Sequence, residues 1–175
     1  MEYGTYACSM QLNPQDLVVA LKLAFHPGLT FQRLAGSLGL SASAVHRSVT
    51  RAKAAGLLLA NRHPNRSALL EFVLHGVRYA FPAVRGGMTR GIPTAHAAPP
   101  LVDLIVQDNE PVPVWPDPQG EVRGSSFKPL FSAAPKAARA DDKLYRCLSL
   151  IDAIRGGRAR ERNLAAKLLT ELLDG

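Results

Sequence analysis

Cysteine is almost missing from this chain. Two thiols in 175 residues, Cys8 and Cys147, are too few and too far apart for a disulfide framework, and they fit a reducing interior as structural thiols. Long apolar runs are missing as well: none approaches the roughly 20 residues that a membrane helix needs. The opening MEYGTYACSM lacks the basic-then-apolar layout of a secretory signal, so a cytoplasmic protein is expected. The five histidines, His26, His46, His63, His75 and His96, stand singly, with no HExxH, no CxxC and no His/Cys cluster, which leaves a metal site unsupported. No GxSxG elbow and no nucleotide-binding glycine spacing occurs, and scattered Ser, His and Asp do not make a triad without geometry. The expectation is a protein that is not an enzyme and uses no cofactor.

Acidic residues are scarce in one half only. Residues 1–100 hold 10 Lys/Arg against 3 Asp/Glu, whereas residues 101–175 hold 11 of each, so the whole net charge of +7 sits in the first part. A one-sided basic excess is the electrostatic footprint of a polyanion-binding face, because neutralising phosphates releases condensed counterions. A basic surface that only aids solubility is the plainer alternative. An apolar fraction of 47% with 20% charged residues is ordinary for a chain that buries a core. The length suits one domain with an elaborate tail or two small domains.

The stretch from Thr30 to Leu58 reads as two short helices around a tight turn. Thr30 caps the first, whose inward side is Phe31, Leu34, Ala35 and Leu38 at helical spacing. Gly39 ends it, Leu40 fills the angle, and Ser41 caps a second helix from about Ala42 to Ala55 with Val45, Val49 and Ala52 as its apolar stripe. Off that stripe fall His46, Arg47, Thr50, Arg51 and Lys53, and Gly56 stops the helix. The order Leu-Ser-x-Ser-x-Val-x-Arg-x-Val-x-Arg over 40–51, followed by Ala55-Gly56-Leu57, resembles the winged helix-turn-helix domains of bacterial regulators of the MarR type. Ala35, Gly39 and Ala55-Gly56-Leu57 match that family's positions, and the resemblance spans residues 13–66. It implies a recognition helix for the major groove and a wing beyond it.

Before this pair, Asn13-Pro14 opens a helix with Asp16 near its N-terminus. Its apolar face is Leu17, Val18, Leu21, Ala24 and Phe25, and His26-Pro27-Gly28 closes it, with His26 facing free carbonyls and the helix dipole. After the pair, Leu57–Ala60 reads as a first wing strand and Asn61–Arg66 as a turn carrying Arg62 and Arg66. These two read equally as contacts to a DNA backbone and as solvated loop charges. No second wing strand follows. Ser67 to Phe81 reads instead as a mostly buried helix, which predicts a truncated wing.

Ten of the 13 prolines fall between Pro82 and Ala140, where no helical or alternating period is sustained, so a long irregular segment is expected. Within it, Val112, Val114 and Trp115 suggest a short edge strand that Gln119-Gly120 turns back toward Val122. Arg85-Gly86-Gly87-Met88-Thr89-Arg90-Gly91 reads as a glycine turn. Its arginines, Arg85 and Arg90, are left open as an anion site, a second DNA contact or partners of distant carboxylates. From Asp141 or Asp142 two amphipathic helices joined at Gly156-Gly157 suggest a helical hairpin, packing on this chain or on a symmetry mate.

The fold expected is thus mainly α. It comprises a helix-turn-helix unit over 1–81, an irregular proline-rich segment over 82–140, and a helical hairpin over 141–175 that is a candidate for dimerisation. The function expected is sequence-specific binding of double-stranded DNA by a transcriptional regulator, a repressor acting as a homodimer. Ser41, Ala42 and Ser43 would seat the recognition helix on the backbone, and His46 and Arg47 would reach base edges. Thr50, Arg51, Lys53, Arg62 and Arg66 would touch phosphates. A protein-interaction module such as an antitoxin or adaptor, gripping its partner through 82–175, is the competing expectation.

Overall fold

The computed structural model describes residues 11–106 and 109–175; Cys8 lies outside them. The fold is mostly helical with one small three-stranded sheet. Helix α1 spans Pro14–Phe25, with proline at its start and Asp16 Oδ2 accepting from the Asn13 amide at 2.8 Å. It is buried on every side from Asp16 to Ala24. Helix α2, Phe31–Leu38, is capped by Thr30, whose hydroxyl accepts from the Arg33 amide at 3.3 Å. Gly39 ends it at φ +65°, a left-handed conformation that glycine adopts without steric penalty. Helix α3, Ala42–Ala54, starts on Ser41, whose hydroxyl accepts from the Ala44 amide at 3.1 Å. The boundaries read from spacing hold to within a residue.

A short turn follows, held by one bridge between Leu58 and Pro64 and by the Leu59 amide donating to the His63 carbonyl at 2.8 Å. The chain then runs as helix from Arg66 to Ala80: α4 over Arg66–Glu71, a π-helical turn over Phe72–Gly76, and α5 over Val77–Ala80. Leu69, Val73 and Val77 form its buried line.

The middle segment departs from expectation. Arg85–Gly91 is not a glycine turn but most of a nine-residue strand, β1, Arg85–Pro93. Strands β2, Pro113–Pro116, and β3, Val122–Phe127, each pair antiparallel with β1, and they run parallel to each other. The return from Val114 to Val122 is therefore not a hairpin. Each strand pairs with both others, so the prolines of β2 lie within a closed three-stranded ring rather than at an open edge. Gly91 permits the closure: a Cβ there would lie 2.0 Å from the Trp115 carbonyl oxygen.

Three helices complete the chain: α6 over Ala134–Ala140, α7 over Asp142–Gly156 and α8 over Ala159–Asp174. Helix α7 is the central post. It packs against α8, α6, α5, α1 and the 3-10 turn at Ala95–Ala97, and every residue from Cys147 to Arg155 is buried. Helix α8 lays Ala165, Leu169 and Leu173 into the same core and also meets α4. The leucine stripe of the C-terminal pair thus packs on its own chain. Contacts of α1 with α7, α2 with α6 and α4 with α8 cross both boundaries drawn from the sequence at residues 81 and 140.

Two buried carboxylates on or beside α7 organise this packing. Asp141 caps α7, accepting from the Leu144 amide at 3.1 Å, and also meets Lys22 and His26 of the α1 end, His26 Nε2 at 2.8 Å. His26 is therefore held by a carboxylate rather than by free helix carbonyls. Asp152 accepts from Thr94 at 2.8 Å, from Trp115 Nε1 at 2.6 Å and from Arg155 at 2.6 Å. Arg155 in turn donates to the Phe81 carbonyl at 2.7 Å. Burial pushes the Asp152 carboxyl up while Arg155 and the two neutral donors oppose it. Its described partners are all donors, so the pocket is shaped for the anion.

Candidate nucleic-acid interface

Helix α3 is fixed from below and open above. Val45, Ser48, Val49 and Ala52 are buried against α1 and α2, with Ser48 accepting from Gln15 Nε2 at 3.0 Å. Burying two valines contributes on the order of 3 kcal/mol, which seats the helix firmly. On the other side Ala42, Ser43, His46, Arg47 and Thr50 are exposed. Arg47 makes no hydrogen bond or ion pair among the described residues. The Thr50 hydroxyl donates back to the His46 carbonyl at 3.0 Å, and Ser41 and Ser43 hydroxyls lie 3.1 Å apart at the helix start. Lys53 is half-buried near the C-terminal end. No Asp or Glu lies between Asp16 and Glu71 in sequence, so Arg47 and the positive end of the helix dipole at Ser41 meet no acidic neighbour along α3 itself.

Two arginines assigned to phosphates from sequence are engaged elsewhere. Arg51 forms a two-pronged pair with Asp16, Nε to Oδ2 and Nη2 to Oδ1 both at 2.7 Å. The Asp16 side chain is 0% exposed. The hydrogen bonds that Arg51 donates to Asp16 raise its guanidinium further above an already high value, so Arg51 stays charged. Arg51 is a clamp between α3 and α1, turned inward because a fully buried carboxylate requires a fixed cation. Arg66 is exposed, yet its guanidinium donates to the carbonyls of Ala24, at 2.9 Å, and Leu173, tying the C-terminal ends of α1 and α8. Both guanidiniums are thus engaged within the chain.

Arg62 behaves differently. It sits at φ +67° in the turn after α3, a conformation that costs a non-glycine residue of order 1 kcal/mol. Its guanidinium lies 4.7 Å above the Phe31 ring, and that ring stacks on His46 of α3 with centroids 5.5 Å apart. Arg62, Phe31 and His46 therefore form a continuous strip running from the turn onto the open face of α3.

Arg85 and Arg90 do not converge. Arg85 donates to the Gly156 carbonyl at 2.8 Å and covers the Phe127 ring, while Arg90 is exposed opposite Arg123 on β3. A cleft of about 440 Å³ beside α8 is lined by Arg85, Arg158 and Arg160 but also by Glu110 and Glu161, so its charges largely cancel. Among the described residues no group of three His, Cys, Asp or Glu side chains gathers in a geometry for a metal ion, and no helix is long and apolar enough to cross a membrane. Cys147 is wholly buried, and that burial raises its thiol far above the ordinary value, which makes it inert as a nucleophile.

Sequence reasoning missed the two ionic clamps, although a signal was present. In α1 the only charged residues are Asp16 and Lys22, set in a run that is otherwise apolar on all sides. Such residues require partners brought from elsewhere in the chain. Comparison with protein-family models, with curated proteins and with solved structures gives no match for this chain.

Proposed function

We propose that this protein binds double-stranded DNA in a sequence-dependent way, reading the major groove with α3, and acts as a transcriptional regulator in the cytoplasm. One observation carries the reading: α3 is capped by Ser41 and clamped to α1 by Arg51, while Ser43, His46, Arg47 and Thr50 face solvent with no carboxylate near them in sequence. A rigid support beneath a short polar, basic helix is the arrangement that lets a helix enter a groove about 12 Å wide. Arg47 is the base-reading residue, suited to the O6 and N7 of guanine, with His46 beside it. Ser41 and Ser43 sit where a backbone phosphate approaches the helix start. The resemblance to winged helix-turn-helix regulators of the MarR type fits this placement. The wing is reduced to the 58–64 turn, and binding as a homodimer on a two-fold site extends the same reading.

Selection of bound duplexes from a random pool tests it. The expected result is enrichment of one short motif by the unaltered protein and blurring of one position of that motif by Arg47→Ala. Retention of no duplex at low salt, or an unchanged motif with Arg47→Ala, would count against it.

A further inference from the structure

Between the α1–α2 loop and the turn after α3 lies a small pocket of about 170 Å³, lined by Leu23, Pro27, Gly28, Leu29 and the run Asn61 to Pro64. Its lining includes Arg62 and His63 and no carboxylate. In this it differs from the larger cleft beside α8, where two glutamates face three arginines. Arg62 stands out among the described residues for a second reason: its Nη1 is shielded from solvent and donates to nothing. An arginine with a buried, idle donor is unusual, because the group forgoes hydration without gaining an acceptor. The backbone beneath it is left-handed at φ +67°. A strained residue with one idle guanidinium donor, at the wall of a carboxylate-free pocket, is arranged for a negatively charged oxygen to complete what the Phe31 ring alone does not.

We infer that this pocket is a subsite for a phosphate-class oxyanion, with Arg62 as its cation. Oxygen atoms of the anion take the guanidinium donors as the side chain shifts within the pocket, and His63 adds a further donor. The anion has two sources: a free phosphate, or a backbone phosphate of the duplex proposed above, since the Arg62–Phe31–His46 strip runs from this pocket to the open face of α3. The second source rests on the DNA-binding reading; the first does not.

The test compares the unaltered full chain with Arg62→Gly. Glycine removes the guanidinium yet suits the left-handed backbone, so the variant keeps the melting temperature of the unaltered chain or exceeds it, and loss of a response is not loss of the fold. Two titrations are run, inorganic phosphate at constant ionic strength read by melting temperature, and duplex DNA at several salt concentrations read by anisotropy. A saturable rise in melting temperature with phosphate, absent in Arg62→Gly, supports the subsite with free phosphate as its ligand. Weaker duplex binding by Arg62→Gly at every sequence, with the salt slope reduced by about one, supports the subsite with DNA as the source. A phosphate response that depends on Arg62 in a protein that binds no duplex upholds the subsite while sinking the DNA reading. Identical phosphate responses and identical duplex salt slopes for the two proteins would overturn the inference.

Discussion

At the scale of single residues the molecule separates arginines that hold the fold from arginines that face outward, and the two kinds answer differently to removal. Arg51→Ala would strand the fully buried Asp16 carboxylate, an uncompensated charge that costs about 3–5 kcal/mol. Chemical denaturation is expected to show this loss of stability, and Asp16→Asn combined with Arg51→Met is expected to restore part of it, since a neutral pair needs no counter-ion. Arg47→Ala, on an exposed position, should leave the denaturation midpoint unchanged and lower affinity for the preferred duplex by about 1–3 kcal/mol, read by competition binding. The sequence distinguishes these residues only weakly, because both lie off the apolar stripe of α3. What separates them is Asp16, 35 residues away, and no local period reveals a partner at that distance. The acceptors of Arg66, the carbonyls of Ala24 and Leu173, are hidden from local pattern for the same reason.

At the scale of elements, the helices follow from short-range rules. Caps at Thr30, Ser41 and Asp141 and the stop at Gly39 place their ends, and the four- and three-residue recurrence of Val45, Val49 and Ala52 places the buried face of α3. Gly39→Ala is expected to cost about 1–2 kcal/mol in denaturant unfolding, since the left-handed turn penalises a Cβ even though the nearest atom to it, on Ala133, is at an ordinary 3.5 Å. Strand β1 escapes such rules. Two adjacent glycines and no alternation of burial along Arg85–Arg90 give it no strand pattern, and its pairing is dictated by partners about 20 to 40 residues downstream. The junction of α1 with α7 has a pH signature. Burial works to raise the Asp141 carboxyl, but hydrogen bonds from Lys22, the Leu144 amide and His26 outweigh it and hold the group below its ordinary value. A carboxyl whose folded value is depressed contributes stability above the unfolded value of about 3.9 and loses it as pH falls through the lower folded value. The unfolding midpoint should therefore decline between about pH 5 and the folded value. Asp141→Asn is expected to be less stable at neutral pH and to show a shallower decline.

At the scale of the whole molecule, one tryptophan serves as a witness. Trp115, 1% exposed, donates to Asp152 and meets the Tyr145 ring edge-on at 5.8 Å, far in sequence from α3. The Lys22–Asp141 and Arg66–Leu173 contacts tie the two regions together, so Trp115 emission and far-ultraviolet circular dichroism should report a single coincident transition. Two separated transitions would show that the sheet and the α1–α3 unit unfold independently. The asymmetry of charge fits this division of labour: acids and bases balance after residue 100, where the core post α7 and strands β2 and β3 are built, and bases prevail before it. The π turn at Phe72–Gly76 carries a further consequence. Four residues of ordinary helix overshoot a full circle by about 40°, so a line repeating every fourth position drifts sideways; the wider turn cancels that drift and keeps Leu69, Val73 and Val77 in file. It acts as a phase corrector, letting α4 meet α1 and α8 while α5 meets α7. Excising one residue there would swing everything downstream by about 100°, uncoupling the two regions while leaving each helix intact.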